Sequence, residues 1–266
     1  MKVVLCLILI LVAVFFVYEL VKYTCKKKNG DGSNKLFNVV LIGAAGSGKG
    51  TQSEIMSKTM SLLPLSAGEV LRQYTKNENA KYAKVIKETL KAGQLVKPDI
   101  VHEIIGNYIN DNVLCGKNCN SYAGIIFDGF PRSMEQLEFL DKFLAQSNNK
   151  IDAVIYINVP MDALVDRLSG RFACSNCGAL YHETAKPTKV EGICDICGGE
   201  EFYVREDDKD IDAIKTRFKI FEETTKLVLE NYTKRGIVIQ IDGTKTPNEI
   251  SNEIMSRLDE IKNNKS

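Results

Sequence analysis

The stretch that decides the fold is GAAGSGKGT, residues 43–51, which joins an apolar segment to a segment with helical character. Residues 37–42, FNVVLI, are apolar and β-branched enough for a buried parallel strand, and residues 52–58 have the pattern of an amphipathic helix. A strand, a glycine-rich turn and a helix N-terminus together bind anions, because backbone N–H groups and the helix dipole face the ligand. The stretch therefore predicts a polyphosphate site in which Lys49 reaches the terminal phosphates.

The residue after this lysine narrows the class of protein. The common form of the motif places Ser or Thr directly after the lysine, as a Mg²⁺ ligand. Here that position is Gly50, and the hydroxyl comes one residue later, at Thr51. This variant favours a kinase of small molecules over a switch GTPase.

Composition indicates an ordinary globular protein of one large domain or two small ones. The chain has 266 residues, of which 44% are apolar and 26% charged. The net charge is +1, so no overall field favours nucleic acid, and we expect no nucleic-acid partner. The spacing of the eight cysteines points to metal binding rather than disulfides, and therefore to a reducing compartment.

The N-terminus differs from the rest of the chain. Residues 3–17 are unbroken apolar sequence, and lysines flank the segment on its C-terminal side. Residues 1–24 are therefore predicted to be a transmembrane helix that anchors the protein, with the catalytic part facing the cytosol by the positive-inside rule. The alternative is a cleaved signal that targets an organelle. Residues 25–34 are polar and glycine-containing, and they are predicted to form a linker.

Strand patterns alternate with helical patterns along the remaining chain, which predicts an α/β fold with a central parallel sheet flanked by helices. Residues 65–72 are predicted to be a turn that opens a helix, and Ser133 is the expected N-cap of another helix. The predicted strands are 37–42, 124–129, 154–159 and 237–241. The predicted helices are 52–58, 82–92, 99–112, 133–145, 161–168, 211–232 and 247–261.

Two Cys-x2-Cys pairs carry a metal signal. Each pair is followed by a glycine, as tight knuckle turns require, and four thiolates suit a closed, structural Zn²⁺ site. Cys115 and Cys119 lack a partner pair and are interpreted as loop cysteines, while His102 and His182 are expected to have structural roles. The predicted zinc ligands are Cys174, Cys177, Cys194 and Cys197.

Three further motifs follow the glycine-rich stretch: DGFPR at 128–132, LVDRLSGR at 164–171 and REDD at 205–208. As a set, and in this order, they resemble the adenylate kinase family in its long form with a zinc-binding lid, over about residues 35–261. The resemblance implies a P-loop kinase core (35–65, 99–171 and 209–264), a helical monophosphate-binding arm (66–98) and a zinc-binding lid (172–208). It also implies a monomer that acts on small-molecule nucleotides.

The resemblance assigns roles by motif position. Asp128 would orient the water shell of Mg²⁺, and Ala67 replaces a residue whose hydroxyl would bond AMP. Acceptor AMP would be bound by Ala67, Arg72, Gln94, Val96, Gly129, Arg132 and Gln136. The donor nucleotide would be bound by Gly46, Ser47, Gly48, Lys49, Gly50, Thr51, Arg167, Arg171 and Lys245. The catalytic residues would be Lys49, Asp128, Arg132, Arg167, Arg171, Arg205 and Arg217.

The expected reaction is ATP + AMP ⇌ 2 ADP with Mg²⁺. An AMP phosphate oxygen is already an anion, so the transfer requires converging positive charge and no general base. One alternative keeps the fold and uses GTP as the donor, as related GTP:AMP phosphotransferases do. A second alternative is a zinc-ribbon module that binds nucleic acid, but acidic residues dominate the end of the cysteine region at 200–208.

Overall fold

The computed structural model describes residues 35–114 and 122–263. Its strands are β1 (Asn38–Ile42), β2 (Leu62–Ser66), β3 (Gly124–Asp128), β4 (Ile151–Asn158), β5 (Arg171–Cys174), β6 (Leu180–His182), β7 (Phe202–Tyr203) and β8 (Val238–Asp242). Its helices are α1 (Lys49–Met60), α2 (Ala67–Tyr74), α3 (Ala83–Lys91), α4 (Pro98–Ile109), α5 (Met134–Ala145), α6 (Met161–Ser169), α7 (Glu206–Lys209), α8 (Ile211–Ile220), α9 (Lys226–Lys234) and α10 (Pro247–Asn263).

The central sheet is parallel and has the strand order β2-β3-β1-β4-β8. Side chains of β1 alternate between its two faces, so that Val40 and Ile42 join one apolar core while Val39 and Leu41 join the other. Helices α4, α5 and α9 contribute to the first core, and α1, α6 and α10 contribute to the second. This arrangement confirms the predicted α/β fold with a parallel sheet flanked by helices.

Strand β2 is where the sequence prediction was wrong. Leu65 and Ser66 were assigned to a turn before a helix, but they end a strand that pairs with β3 along its whole length. Pro64 lies within this strand, and proline is tolerated there because β2 is at the edge of the sheet and needs no N–H on its outer side. A five-residue strand that contains proline has little periodicity to detect, and only its pairing with β3 identifies it.

The other helices and strands lie within a few residues of their predicted positions. The Ser133 hydroxyl accepts a hydrogen bond from the Gln136 N–H at 3.3 Å, which confirms the predicted N-cap of α5. The long helix predicted over 211–232 is interrupted by a π-helical turn at Phe221–Thr225, between α8 and α9. A second π turn, Asn110–Leu114, extends α4.

The cysteine region forms a small antiparallel sheet, in which β5 pairs with both β6 and β7. Tyr181 is buried at its centre between the rings of Phe172 and Phe202. The segment predicted as an arm contains α2 and α3. Predictions for residues 1–24 and 25–34, and for Cys115 and Cys119, lie outside the described residues.

Candidate active site

The glycine-rich loop connects the end of β1 to the start of α1. Gly48 is the N-cap of α1 and has φ +94, a backbone conformation that residues with a Cβ rarely adopt. Gly43 packs so closely that a Cβ there would lie 2.4 Å from the Ser47 Oγ and 2.8 Å from the Ile157 carbonyl oxygen. The loop therefore needs glycine at these positions, and its tight curvature suits the binding of phosphate groups.

Lys49 lies at the first turn of α1, with its ammonium group folded against the loop. Its Nζ donates hydrogen bonds to the Gly43 carbonyl at 2.8 Å and to the Ala44 carbonyl at 2.9 Å. Burial lowers the pKa of Lys49 to about 7, and the positive charges of Arg132, Arg217 and Arg171 add to this effect, while Asp128 opposes it. The loop thus contains a lysine whose charged form is disfavoured until an anion is present.

One cavity of about 570 Å³ lies between the loop, the arm and the lid. Every residue that the sequence assigned to nucleotide binding or catalysis lines it, from Gly46 in the loop to Lys245 after β8. The cavity is beyond the carboxyl ends of the parallel strands, where ligands bind in open α/β sheets. The fold therefore brings the predicted nucleotide residues together, although they come from segments far apart in the chain.

Two adjacent carboxylates balance the arginines of this cavity. Asp208 accepts hydrogen bonds from Arg171 at 2.7 and 2.5 Å and from Arg217 at 2.6 Å. Asp207 accepts from Arg72 at 3.2 Å and forms an ion pair with Arg217. Burial alone would raise the pKa of Asp207, but the surrounding arginines hold it below the ordinary value of an aspartate. Neither aspartate was among the predicted site residues, although both follow the predicted catalytic Arg205 within the REDD motif at 205–208.

The lid contacts both the arm and the core. Arg205 forms an ion pair with Glu69 of the arm at 3.6 Å, and Lys186 forms one with Glu54 of α1 at 2.6 Å. Lys76 of the arm donates to the Ser175 carbonyl of the lid at 3.0 Å. These contacts join the lid to both sides of the cavity. Only the folded chain identifies them, because Glu54 and Lys186 are 132 positions apart.

At one end of the cavity, Arg132 is fixed by its own loop. Its Nε donates to the Gly129 carbonyl at 2.9 Å, and its backbone N–H donates to the Gln136 Oε1 at 2.8 Å. Gly129 has φ +72, and a Cβ there would lie 2.7 Å from the Arg132 Nη2. Burial lowers the pKa of Arg132, but a guanidinium group starts so high that it remains charged at neutral pH.

At the other end, Arg167 of α6 reaches the loop that follows β8. Its Nη2 donates to the Gly243 carbonyl at 2.9 Å. Gln52 is a buried residue that was not among the predicted site residues. Its Nε2 donates to the Pro247 carbonyl at 2.9 Å. These two bonds tie the loop at 243–247 to α6 and α1. The backbone of this loop is therefore held beside the glycine-rich loop.

The four predicted zinc ligands come together in the lid. The Sγ atoms of Cys174, Cys177, Cys194 and Cys197 all lie within 4.8 Å of one another. Gly178 and Gly198 both have positive φ, as the predicted knuckle turns require. Four sulfur atoms at this separation fit a tetrahedral metal site with no open position. The cluster is thus able to hold a metal ion, and its donor set suits zinc.

The histidines take different positions. His102 of α4 stacks on Phe139, with ring centroids 4.1 Å apart. His182 lines the cavity, and its Nδ1 accepts hydrogen bonds from the backbone N–H groups of Thr184 and Ala185, each at 3.2 Å. These bonds fix a turn of the lid, which is a structural contact.

Comparison with known proteins shows the family to which the chain belongs. The family model described as adenylate kinase matches residues 41–237. The chain belongs to the adenylate kinase family. It is 39% identical to the adenylate kinase of Zymomonas mobilis over 223 residues, which cover 84% of this chain and 96% of that protein. It is 40% identical to the adenylate kinase of Methanothrix thermoacetophila over 221 residues, which cover 83% and 98% of the two chains.

Membership in the adenylate kinase family confirms the predicted enzyme class. The protein is a phosphotransferase, a nucleoside monophosphate kinase that converts ATP and AMP into two molecules of ADP. Magnesium is used with the nucleotides by this family.

The prediction of a membrane-anchored protein with a cytosol-facing catalytic part requires correction. The segment that suggested it, residues 1–24, lies outside the described residues. Within 35–114 and 122–263, no helix combines the length and apolar character needed to cross a bilayer. The matches to adenylate kinases, which cover up to 84% of this chain, give no support for an anchor either. The anchor prediction is therefore withdrawn.

Proposed function

We propose that ATP and AMP occupy the two ends of the cavity and exchange a phosphoryl group directly between them. The observation that carries this assignment is the convergence of Lys49 and six arginines on one cavity of about 570 Å³. Transfer to an AMP phosphate requires positioning and neutralisation of negative charge rather than proton abstraction. The cavity supplies this positive charge from the loop, the sheet and the lid. The arginines are Arg72, Arg132, Arg167, Arg171, Arg205 and Arg217.

The donor end lies at the glycine-rich loop. Backbone N–H groups of residues 46–51 bind the phosphates of ATP, and Lys49 moves from the loop carbonyls to a phosphate oxygen. Arg167 borders the donor base together with the loop that contains Lys245. Support for this placement comes from the bond between the Arg167 guanidinium and the Gly243 carbonyl.

The acceptor end lies at the arm. Arg72 and Arg132 bind the AMP phosphate, because their guanidinium groups suit a phosphate in bidentate geometry. Gln136 contacts the base, and Gly129 gives Arg132 the space that it needs. The residues that complete this pocket in our proposal are Ala67, Gln94 and Val96.

Asp128 would hold magnesium bound with the nucleotide, and the ion would supply positive charge that neutralises the phosphates. The residues present suit this ion, because the Asp128 carboxylate lines the cavity at the end of β3, beside the glycine-rich loop. Asp128 would hold the ion through its bound water molecules.

The arm at 66–98 and the lid at 172–208 act as two flaps on the core. Asp207 and Asp208 form ion pairs with arginines that are also suited to bind phosphates. Nucleotide phosphates therefore compete with these carboxylates for the arginines. Zinc held by the four lid cysteines keeps this small subdomain folded, because its apolar core is limited to a few side chains.

The test compares Arg132→Ala with Arg235→Ala. Arg235 is a surface residue whose guanidinium pairs with Asp141 at 2.7 Å, so its loss controls for removal of an arginine. We expect Arg132→Ala to lower kcat/KM for AMP by at least about a thousandfold, because it removes a transition-state charge contact. Arg235→Ala should retain the wild-type value within about twofold.

Rates with AMP, GMP, CMP and UMP as acceptors, each with ATP or GTP as donor, complete the experiment. ATP with AMP should give the highest kcat/KM. An equal effect of the two arginine variants, or a preference for another nucleotide pair, would contradict the assignment.

A further inference from the structure

The π turn Phe221–Thr225 borders the acceptor end of the cavity. Ile220, Phe221 and Thr225 all line the cavity, and Phe221 and Thr225 are buried. A π turn adds a residue to a helical turn, so it changes which side chains face a neighbouring element. Such turns are frequent at functional sites. This one lies where α8 and α9 pass the loop that carries Arg132.

Thr225 uses its hydroxyl differently from its helical neighbours. The hydroxyl groups of Thr216, Thr224 and Thr233 each donate to the carbonyl four residues earlier in their own helix, at 2.7–2.8 Å. The Thr225 hydroxyl instead donates to the Arg132 carbonyl at 3.3 Å, a partner 93 positions away. The π turn thus directs a buried hydroxyl across to the site loop.

Arg132 is consequently held at three points. Gln136 accepts from its backbone N–H, Gly129 accepts from its Nε, and Thr225 donates to its backbone carbonyl. The first two partners belong to the same loop and helix as Arg132, so they move with it. Thr225, in contrast, belongs to the π turn between α8 and α9, and its hydrogen bond ties the loop to these helices.

We propose that Thr225 is a positioning residue for the acceptor phosphate, acting through the backbone of Arg132. The inference rests on the proposed role of Arg132 in AMP binding. A guanidinium group must lie within a fraction of an ångström of its productive position to bind a phosphate well. The hydroxyl of Thr225 fixes the backbone of Arg132, from which the side chain extends towards AMP.

The experiment measures KM for AMP and for ATP separately in Thr225→Val, Thr225→Ser and Thr224→Val. Valine keeps the size of threonine without the hydroxyl, whereas serine keeps the hydroxyl. Thr224→Val is the matched control, because its hydroxyl lies on the same π turn and donates to the Ile220 carbonyl of its own helix. Thr225→Ala replaces Thr225→Val if that variant does not fold.

We expect Thr225→Val to raise KM for AMP by about threefold to tenfold, the range that one net hydrogen bond supports. KM for ATP should change by less than about twofold, and Thr225→Ser should restore KM for AMP to near the wild-type value. Thr224→Val should leave both constants unchanged.

Three results would overturn the inference: an unchanged KM for AMP in Thr225→Val, no recovery in Thr225→Ser, or an equal rise in both KM values. Equal changes would mean that the hydroxyl only stabilises the fold, which a thermal melt of each variant would also reveal. These failures are distinct from a failure of the proposed function, since that would appear in the wild-type protein as a preference for an acceptor other than AMP.

Discussion

The pKa of Lys49 leads to a prediction about the pH dependence of donor binding. Burial and three arginines lower this pKa to about 7, so the ammonium loses its proton near neutral pH in the nucleotide-free protein. A triphosphate favours the charged lysine. ATP binding must therefore take up a proton at higher pH, and affinity must fall as the pH rises above 7.

The size of the effect follows from the linkage between protonation and binding. If ATP binds only the charged form, the apparent Kd scales as one plus the ratio of uncharged to charged lysine. With a pKa of about 7, the Kd should rise roughly tenfold between pH 6 and pH 8. At pH 7.5 about three quarters of a proton should be taken up for each ATP bound.

Isothermal titration calorimetry with MgATP, in buffers of different ionisation enthalpy, measures both quantities. Lys49→Arg is the control, because a guanidinium stays charged throughout this range and should remove the pH dependence whatever its overall affinity. A Kd that is constant from pH 6.5 to 8.5 in the wild-type protein, or the same slope in Lys49→Arg, would refute the reasoning.

Three further predictions address the rest of the site. Gly129→Ala should lower kcat/KM for AMP by at least about tenfold, because the φ of +72 at Gly129 and the nearby Arg132 Nη2 both disfavour a Cβ. Unchanged kinetics would show that the site tolerates a Cβ at this position. Glu54→Gln should raise KM for ATP by up to about fivefold, because it breaks the partly exposed ion pair between α1 and the lid. The control is Lys58→Gln, which removes the other, exposed partner of Glu54 and should leave KM for ATP unchanged. Cys174→Ser combined with Cys177→Ser should abolish zinc binding and lower Tm, but turnover at low temperature should remain. Complete inactivity of the folded double variant would contradict a purely structural role for the metal.

Local sequence patterns predicted much of the fold. The glycine-rich loop between a β-branched run and a helix, and the N-cap at Ser133, are set by neighbouring residues, so they can be recognised without a structure. Strand β2 could not, because Pro64 disfavours a strand until the edge position is known. The π turn at Phe221–Thr225 is also hidden, since the apolar pattern over 211–232 fits an uninterrupted helix.

The residues of the site also fall into a group that the sequence predicted and a group that it did not. Lys49 and the arginines were found from motifs that resemble the adenylate kinase family, and the fold places them around one cavity. Their acidic partners were not assigned, because a charged residue in a sequence gives no sign of which distant residue it meets. The contact between Arg72 and Asp207 joins positions 135 residues apart, and Thr225 reaches Arg132 across 93. Long-range pairing of this kind is set by the packed structure.

The central claim is that one cavity holds both nucleotides and transfers the phosphoryl group directly, with no covalent intermediate on the protein. Initial rates of ADP formation, measured over a matrix of ATP and AMP concentrations, test it most directly. Direct transfer requires a ternary complex, so double-reciprocal plots should intersect, and protein incubated with γ-labelled ATP alone should carry no label. Parallel lines together with a labelled protein would contradict the account, because they would show that a side chain accepts the phosphoryl group first.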